Sequence, residues 1–555
     1  MRRRVLLTAA IVAAVFLFVF QTLPPRPVAT GGTVDDEVCR RTVTGAFHVH
    51  SSRSDGTGSV DEVADAAARA GLRFVILTDH GDAVARREPP RYRNGVLLID
   101  AVEISTNQGH VIAFDMPAAP YPLGGEARDV IEDIQRLGGF TIAAHPDSAK
   151  TDLRWTAWDT PLDGLEWLNL DSEWRDETRG RITRSLIDYS FGRGPAIAAL
   201  LDRPSATLDR WDATTARRAA VALAGHDAHG GVTEGAGRTG IRARLGIPSY
   251  EASFRAFAVR AVLSAEPTGA SERDAEAIAY AIRHGRVFSA IDAIAAPAFV
   301  DYRGTADGVA ATMGETIPHA ADARVTVRSM VPDGGRIVLL RDGREVAQSN
   351  TDELNAPAGA PGAYRIEVRP ATGPGTPPVP WVVTNPIYFR PQAQDYGPRP
   401  RTFSVVGPVG VGNQARVEKD SSSSANLAKT AAGFTLEYAL RPGERVSQYA
   451  AAVVEMPSGV DASGLQFEAR AASPMRVSVQ LRFADQRATR WARSVYLSPE
   501  GQRVTVPFAE FVLADGDRAV PASSSASAIL FVVDLTNARP GQSGSFEIAS
   551  LSFVK

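Results

Sequence analysis

Five short fragments of this 555-residue chain carry the residue types that hold metal ions. They are His48-Val49-His50, Ser54-Asp55-Gly56, Thr78-Asp79-His80, Ala144-His145-Pro146 and Asp227-Ala228-His229, with Glu103 and Gly109-His110 between the third and fourth. Of nine histidines, seven precede residue 230 and lie in or beside these fragments, and only His284 and His319 follow. Histidine concentrated in this way predicts a buried centre of several metal ions rather than scattered surface imidazoles. Mixed imidazole and carboxylate donors suit Zn²⁺, Mn²⁺ or Fe²⁺ better than Ca²⁺ or Mg²⁺. The chemistry such a centre offers is hydrolysis by a water whose pKa it lowers. No glycine-rich phosphate loop and no Ser-His-Asp order is present, and the lone Cys39 has no matching partner for thiol catalysis.

These side chains need elements to position them. On a strand, His48 and His50 fall on one face and Phe47 and Val49 on the other, and Asp227 and His229 repeat the pattern with His226 and Ala228 facing away. Phe74–Leu77 and Phe140–Ala144 read as buried strands with Asp79-His80 and His145 at their carboxyl ends. Between strands, Ser59 and Glu62 form a capping box, Val63, Ala64 and Ala67 an apolar face, and Gly71 a stop. Ala127–Leu137 reads as a second helix, with Val130, Ile131, Ile134 and Leu137 on one side. Strand alternating with helix predicts an α/β sheet or barrel, whose strand carboxyl ends gather catalytic groups.

"HVHSSRSDG", "LTDH", "VEISTNQGH", "AAHP" and "HDAH" occur in that order. In this the chain resembles the PHP (polymerase and histidinol phosphatase) superfamily of metal-dependent hydrolases, over roughly residues 44–298. The resemblance implies a distorted (β/α)7 barrel carrying two or three divalent transition metals. It carries ligand roles to His48, His50, Asp55, His80, Glu103, His110, His145, Asp227 and His229. Asp79, His110 and Asp227 stand as catalytic candidates, Asp79 as an orienter more than a ligand. His226 stands where members usually have a small residue, and Glu166, Asn169 and Asp171 in "DGLEWLNLD" could line the pocket. A phosphoester is the default substrate, with a carbamate or carboxylester as the alternative. The end of the matched stretch is similar to a secreted, multidomain branch of carbaryl-hydrolase-like enzymes. An inactive barrel on a polysaccharide-binding envelope protein is the reading from another class, disfavoured by the complete ligand set.

Net charge of −3 gives no reason to expect nucleic acid as a partner. Residues 1–43 open with Arg2, Arg3 and Arg4, then an apolar run from Val5 that Pro24 and Pro25 stop. This is a signal peptide or a membrane anchor, with about 28 Å of helix and an extracytoplasmic remainder. Residues 299–391 read as an immunoglobulin-like β-sandwich with a hairpin at Asp342-Gly343. Residues 392–555 read as a proline-rich link and a jelly roll similar to galactose- and carbohydrate-binding modules. There Val477, Val479, Leu481 and Phe483 alternate with polar residues, and Arg490, Trp491, Arg493 and Tyr496 form a candidate sugar-stacking face for a polysaccharide partner. Because every candidate ligand precedes residue 230, residues 392–555 are expected to be dispensable for turnover of a small substrate.

Overall fold

The computed structural model describes residues 2–30, 36–231, 247–391, 403–409, 415–457, 459–483, 490–513 and 525–555; the proline-rich link at 392–402 lies outside them. Chain contacts define two compact units. One comprises Met1–Gly81, Arg87–Met116 and Gly138–Tyr396, the other Asp82–Arg86, Pro117–Leu137 and Gly397–Lys555. The apolar N-terminal run forms helix α1, Arg2–Gln21. Among the described residues, no helix is long and apolar enough to cross a membrane.

The histidine fragments are all in the first unit, on strands β1 (Thr42–Val49), β2 (Phe74–Leu77), β3 (Val96–Asp100), β4 (Val102–Thr106), β5 (Gly109–Phe114), β6 (Phe140–Ala143), β7 (Gly164–Asn169) and β8 (Val221–Gly225) or at their ends. One sheet runs through β1, β2 and β3, all parallel. A second runs β4-β5-β6-β7-β8. Strand β5 is antiparallel to both neighbours, because only Asn107 and Gln108 separate it from β4 and so short a link makes a hairpin. Hydrogen bonds continue across both seams between the sheets. At one, His226 N donates to Phe47 O (2.9 Å) and His50 N to Ala228 O (3.0 Å); at the other, His80 bridges Glu103. Phe47, Phe74, Ile76, Ile112, Ile142 and Leu223 share one buried cluster.

Helix α2 (Val60–Arg69) has the expected cap: Ser59 N donates to Glu62 Oε2 (2.7 Å), Glu62 N returns to Ser59 Oγ (3.3 Å), and Gly71 stops it at φ +82°. Its Val63, Ala64 and Ala67 pack against Val75 and Leu77. Beyond the second sheet, β9 (Ala258–Val262) pairs β1, β10 (Val287–Ala290) pairs β9, and β11 (Val382–Thr384) pairs β10, all antiparallel. Part of 299–391 therefore extends the sheet that carries β1. Asp342 and Gly343, at φ +49° and +80°, turn the expected hairpin between Arg341 and Arg344.

The second unit is a β-sandwich. One antiparallel sheet holds Ser424–Lys429, Gly433–Ala439, Ser543–Val554, Gly464–Ala471 and Gln502–Pro507; the other holds Arg416–Lys419, Tyr449–Glu455, Ala526–Asp534, Met475–Phe483 and Arg490–Leu497. The alternation at 477–483 buries Val477, Val479, Leu481 and Phe483 against Phe467, Phe531 and Phe546. Helix α3 (Ala127–Arg136) belongs to this unit although its sequence joins β5 to β6. Its apolar face is as expected, but Asp129 and Asp133 are buried too. Arg476 Nε reaches Asp133 (2.8 Å) and its Nη2 Glu132 (3.1 Å), while Arg493 pairs with Asp129 and Glu132. The sugar-stacking face is not assembled. Trp491 is in the sandwich core, Arg493 serves α3, and Tyr496 lies 3.5 Å below the Arg136 guanidinium.

Candidate metal centre

Three candidate ligands sit at or just past the carboxyl ends of their strands with the backbone in the left-handed region: His48, still within β1, at φ +65°, His145 at +30° and Asp227 at +45°. A non-glycine residue there is strained by about 1–3 kcal/mol and persists only where its surroundings over-determine it. At His48 the strain replaces the simple alternation expected of β1. The pairing of β1 with β2 shifts between Ala46 and Val49, so Val49 packs with Ala46 and Val75 rather than with Phe47. The two imidazoles still converge, with Nε2 atoms 3.1 Å apart.

Around them the remaining candidates close in. Glu103, 1 % exposed, is central. Its Oε1 is 2.7 Å from His110 Nδ1 and 2.8 Å from His145 Nε2; its Oε2 is 3.1 Å from both His48 Nε2 and His50 Nε2 and 3.4 Å from His80 Nδ1. Asp227 Oδ1 is 3.3 Å from both His48 Nε2 and His50 Nε2. Asp55 faces His50 (3.3 Å), His229 (3.3 Å) and His80 (3.5 Å). Four groups result whose donor atoms lie within 4.8 Å of one another: His50-Asp55-His80-His229, His48-Glu103-His145, His48-His50-Asp227 and His80-Glu103-His110. All nine expected ligands are in them. Asp55 and His80, with side chains 44 % and 35 % exposed, are the open edge; the others lie deeper.

This cluster balances its own charge. Burial favours neutral rings, yet Glu166, Asp227 and Glu103 hold His48 well above the ordinary imidazole value, and Asp227 and Glu103 raise His50. Against the same burial, hydrogen bonding and attraction to Glu103 bring His145 to about 9. Glu103 and Asp227 are held well below the carboxylate range despite burial, chiefly by His48. Asp55 is lowered against burial by His229 and His80. Cationic rings around anionic carboxylates stand where divalent cations would be held by the same atoms, so the donor set fits a polynuclear centre.

Asp79, a catalytic candidate read as an orienter more than a ligand, lies beside the cluster and holds a loop. It is in none of the four groups. Its carboxylate accepts from Ser51 N (2.7 Å), Ser51 Oγ (2.8 Å), Ser54 Oγ (2.8 Å) and Arg53 Nε (2.9 Å), fixing the loop that presents Asp55. His226 points away as expected. Its ring stacks on Phe257, Nε2 donates to Phe257 O (2.9 Å), and burial pushes it down to about 4. Asp171 pairs with Arg175 and Trp174. Sequence reasoning missed Tyr250, whose hydroxyl donates to His50 O (2.8 Å); it lies 200 positions away with no local signal.

No protein-family model matches the chain and no curated protein is significantly similar to it. Among solved structures it is similar to the family 11 carbohydrate-binding module of a cellulosomal cellulase of Clostridium thermocellum, at 12 % identity over 28 % of this chain and 95 % of the module, TM-score 0.21. That family's module in complex with a β-1,3-1,4-mixed-linked tetrasaccharide matches at 14 % identity over 27 % and 94 %, TM-score 0.21. A mutant family 29 module matches at 14 % identity over 28 % and 91 %, TM-score 0.19.

Proposed function

We propose that this chain is a metal-dependent hydrolase of the PHP kind acting on phosphoesters. The observation that carries the reading is the convergence of nine separated ligand-type residues around Glu103. The strand circuit β1-β2-β3/β4-β5-β6-β7-β8, in which β3 and β4 run on through Ala101 and count as one bent strand, has hydrogen bonds at both seams and supports a distorted seven-strand barrel beneath it. His48, His50, Asp55, His80, Glu103, His110, His145, Asp227 and His229 would hold two or three divalent ions. Bound ions supply Lewis acidity and bring a water's pKa toward neutrality. The chain's own residues supply the rest. Glu103 and Asp227 provide anionic charge shared between neighbouring positions, and Asp79 with Ser51 and Ser54 holds Asp55 at the open edge.

The test is elemental analysis of protein reconstituted with Zn²⁺, Mn²⁺ or Fe²⁺, followed by a panel of phosphomonoesters, phosphodiesters, aryl carboxylesters and carbamates. At least two ions per chain and selective turnover of phosphoesters are expected. Fewer than one ion per chain refutes the metal centre, and selective turnover of carboxylesters or carbamates refutes the substrate class.

A further inference from the structure

Glu166 is a fully buried carboxylate in contact with the cluster but in none of its ligand groups. Its Oε1 is 2.7 Å from His48 Nδ1, the ring nitrogen facing away from His50 and Glu103. Its Oε2 accepts from the backbone N–H of His145 (2.6 Å) and from Asn169 Nδ2 (2.7 Å). One carboxylate thus touches two of the three residues held in the left-handed region, His48 through its ring and His145 through its backbone.

The fold makes room for this group at one place. Gly225 ends β8 beside β7, and a Cβ built on it would lie 1.8 Å from Glu166 Oε1 and 2.3 Å from its Cδ. Any larger residue at 225 would drive the carboxylate off His48. Asn169 is held in turn, its Oδ1 accepting from Ser172 N (3.0 Å) as the cap of the following helix. Gly225, Glu166 and Asn169 therefore form a chain of support from the strand ends to two ligands.

The geometry points to Glu166 as the positioning residue that couples His48 to His145, an inference that rests on the metal-centre reading above. By accepting from Nδ1–H it fixes the His48 tautomer with Nε2 presented to the cluster. By accepting from the His145 amide it keeps that residue's Nε2 aimed at Glu103. Glutamine cannot replace it, since its amide N–H₂ would face either the His48 donor or the His145 and Asn169 donors.

The experiment compares full-length wild type and Glu166→Gln in Zn²⁺ affinity by chelator competition and in the visible spectrum of the Co²⁺-loaded protein. It also reads the His48 tautomer from ¹⁵N chemical shifts of the Zn²⁺ form. Expected for Glu166→Gln are a ten- to hundredfold loss of affinity, an altered cobalt spectrum and a His48 no longer fixed as the Nδ1–H form. Unchanged affinity, spectrum and tautomer in a variant whose apo form melts like wild type overturn the proposal and leave the metal centre standing. Wild type that binds no Zn²⁺ overturns both. Should Glu166→Gln fail to fold, Asn169→Ala is measured instead. It keeps the carboxylate but removes one of the two donors to Oε2, leaving the His145 N–H, and a three- to tenfold weaker affinity is expected; no change overturns the proposal.

Discussion

Divalent-ion affinity should rise steeply with pH, because the free cluster stores protons where ions would bind. His145 sits at about 9, against an ordinary imidazole value near 6.5. At pH 7 its Nε2 must be stripped of a proton before it can ligate. The difference of about 2 units is worth roughly 3 kcal/mol, or about a hundredfold in affinity, and it vanishes as pH approaches 9. His48, His50 and His80 are raised in the same direction, so their protons add to the slope. Asp55, Glu103 and Asp227 are held low and stay ionised throughout, so they add no slope. The assay is chelator competition at pH 6.5, 7.5, 8.5 and 9.5, with calorimetry in two buffers of different ionisation enthalpy to count released protons. His145→Ala should flatten the curve. The linked stability has a definite sign. A raised imidazole contributes stability that is full below pH 6.5 and is lost as pH rises through about 9. Metal-free protein should therefore soften over that window while loaded protein does not. An affinity independent of pH, with no proton released near pH 7.5, would refute the reasoning.

Four further outcomes are expected. Asp227→Asn should cut turnover by about two orders of magnitude, since it removes the charge that faces His48 and His50, while His226→Ala, pointing away, should cost less than about tenfold; kinetics on the panel's best substrate decide. His226 should also make the fold acid-sensitive: its lowered value of about 4 means that stability present above pH 6.5 is lost as pH falls toward 4, by about 3 kcal/mol, and urea melts of metal-free wild type and His226→Phe should converge over that window. Arg476→Ala should destabilise the second unit by about 3 kcal/mol in urea melts, at the low end for a broken buried pair because Asp133 keeps Tyr121 and Arg136. Removal of 397–555 takes Arg476 and Arg493 from α3 altogether, so the shortened chain should lose soluble yield, whatever turnover its folded fraction keeps.

The cluster of ligand-type residues was legible because its chemistry is a matter of residue type. Histidine and carboxylate in repeated short patterns are costly to bury without a purpose, and all nine candidates meet in space. Helix α2 and the Asp342-Gly343 hairpin were legible for a similar reason, since caps and turns are written in adjacent residues. What tertiary structure decided lies between residues far apart. Local periodicity marks Asp129 and Asp133 as the polar side of an amphipathic helix, and only Arg476 and Arg493, more than 340 positions later, make them buried. Trp491 and Arg493 look like a binding face in one strand and become core and ion pair once the sheets stack. At His48, His145 and Asp227 the backbone departs from the regular strand because packing on several sides, with Glu166 beneath two of them, holds a conformation that none of these residues prefers locally. Residue type specified which atoms could bind a metal, and the closure of distant strands specified where those atoms point.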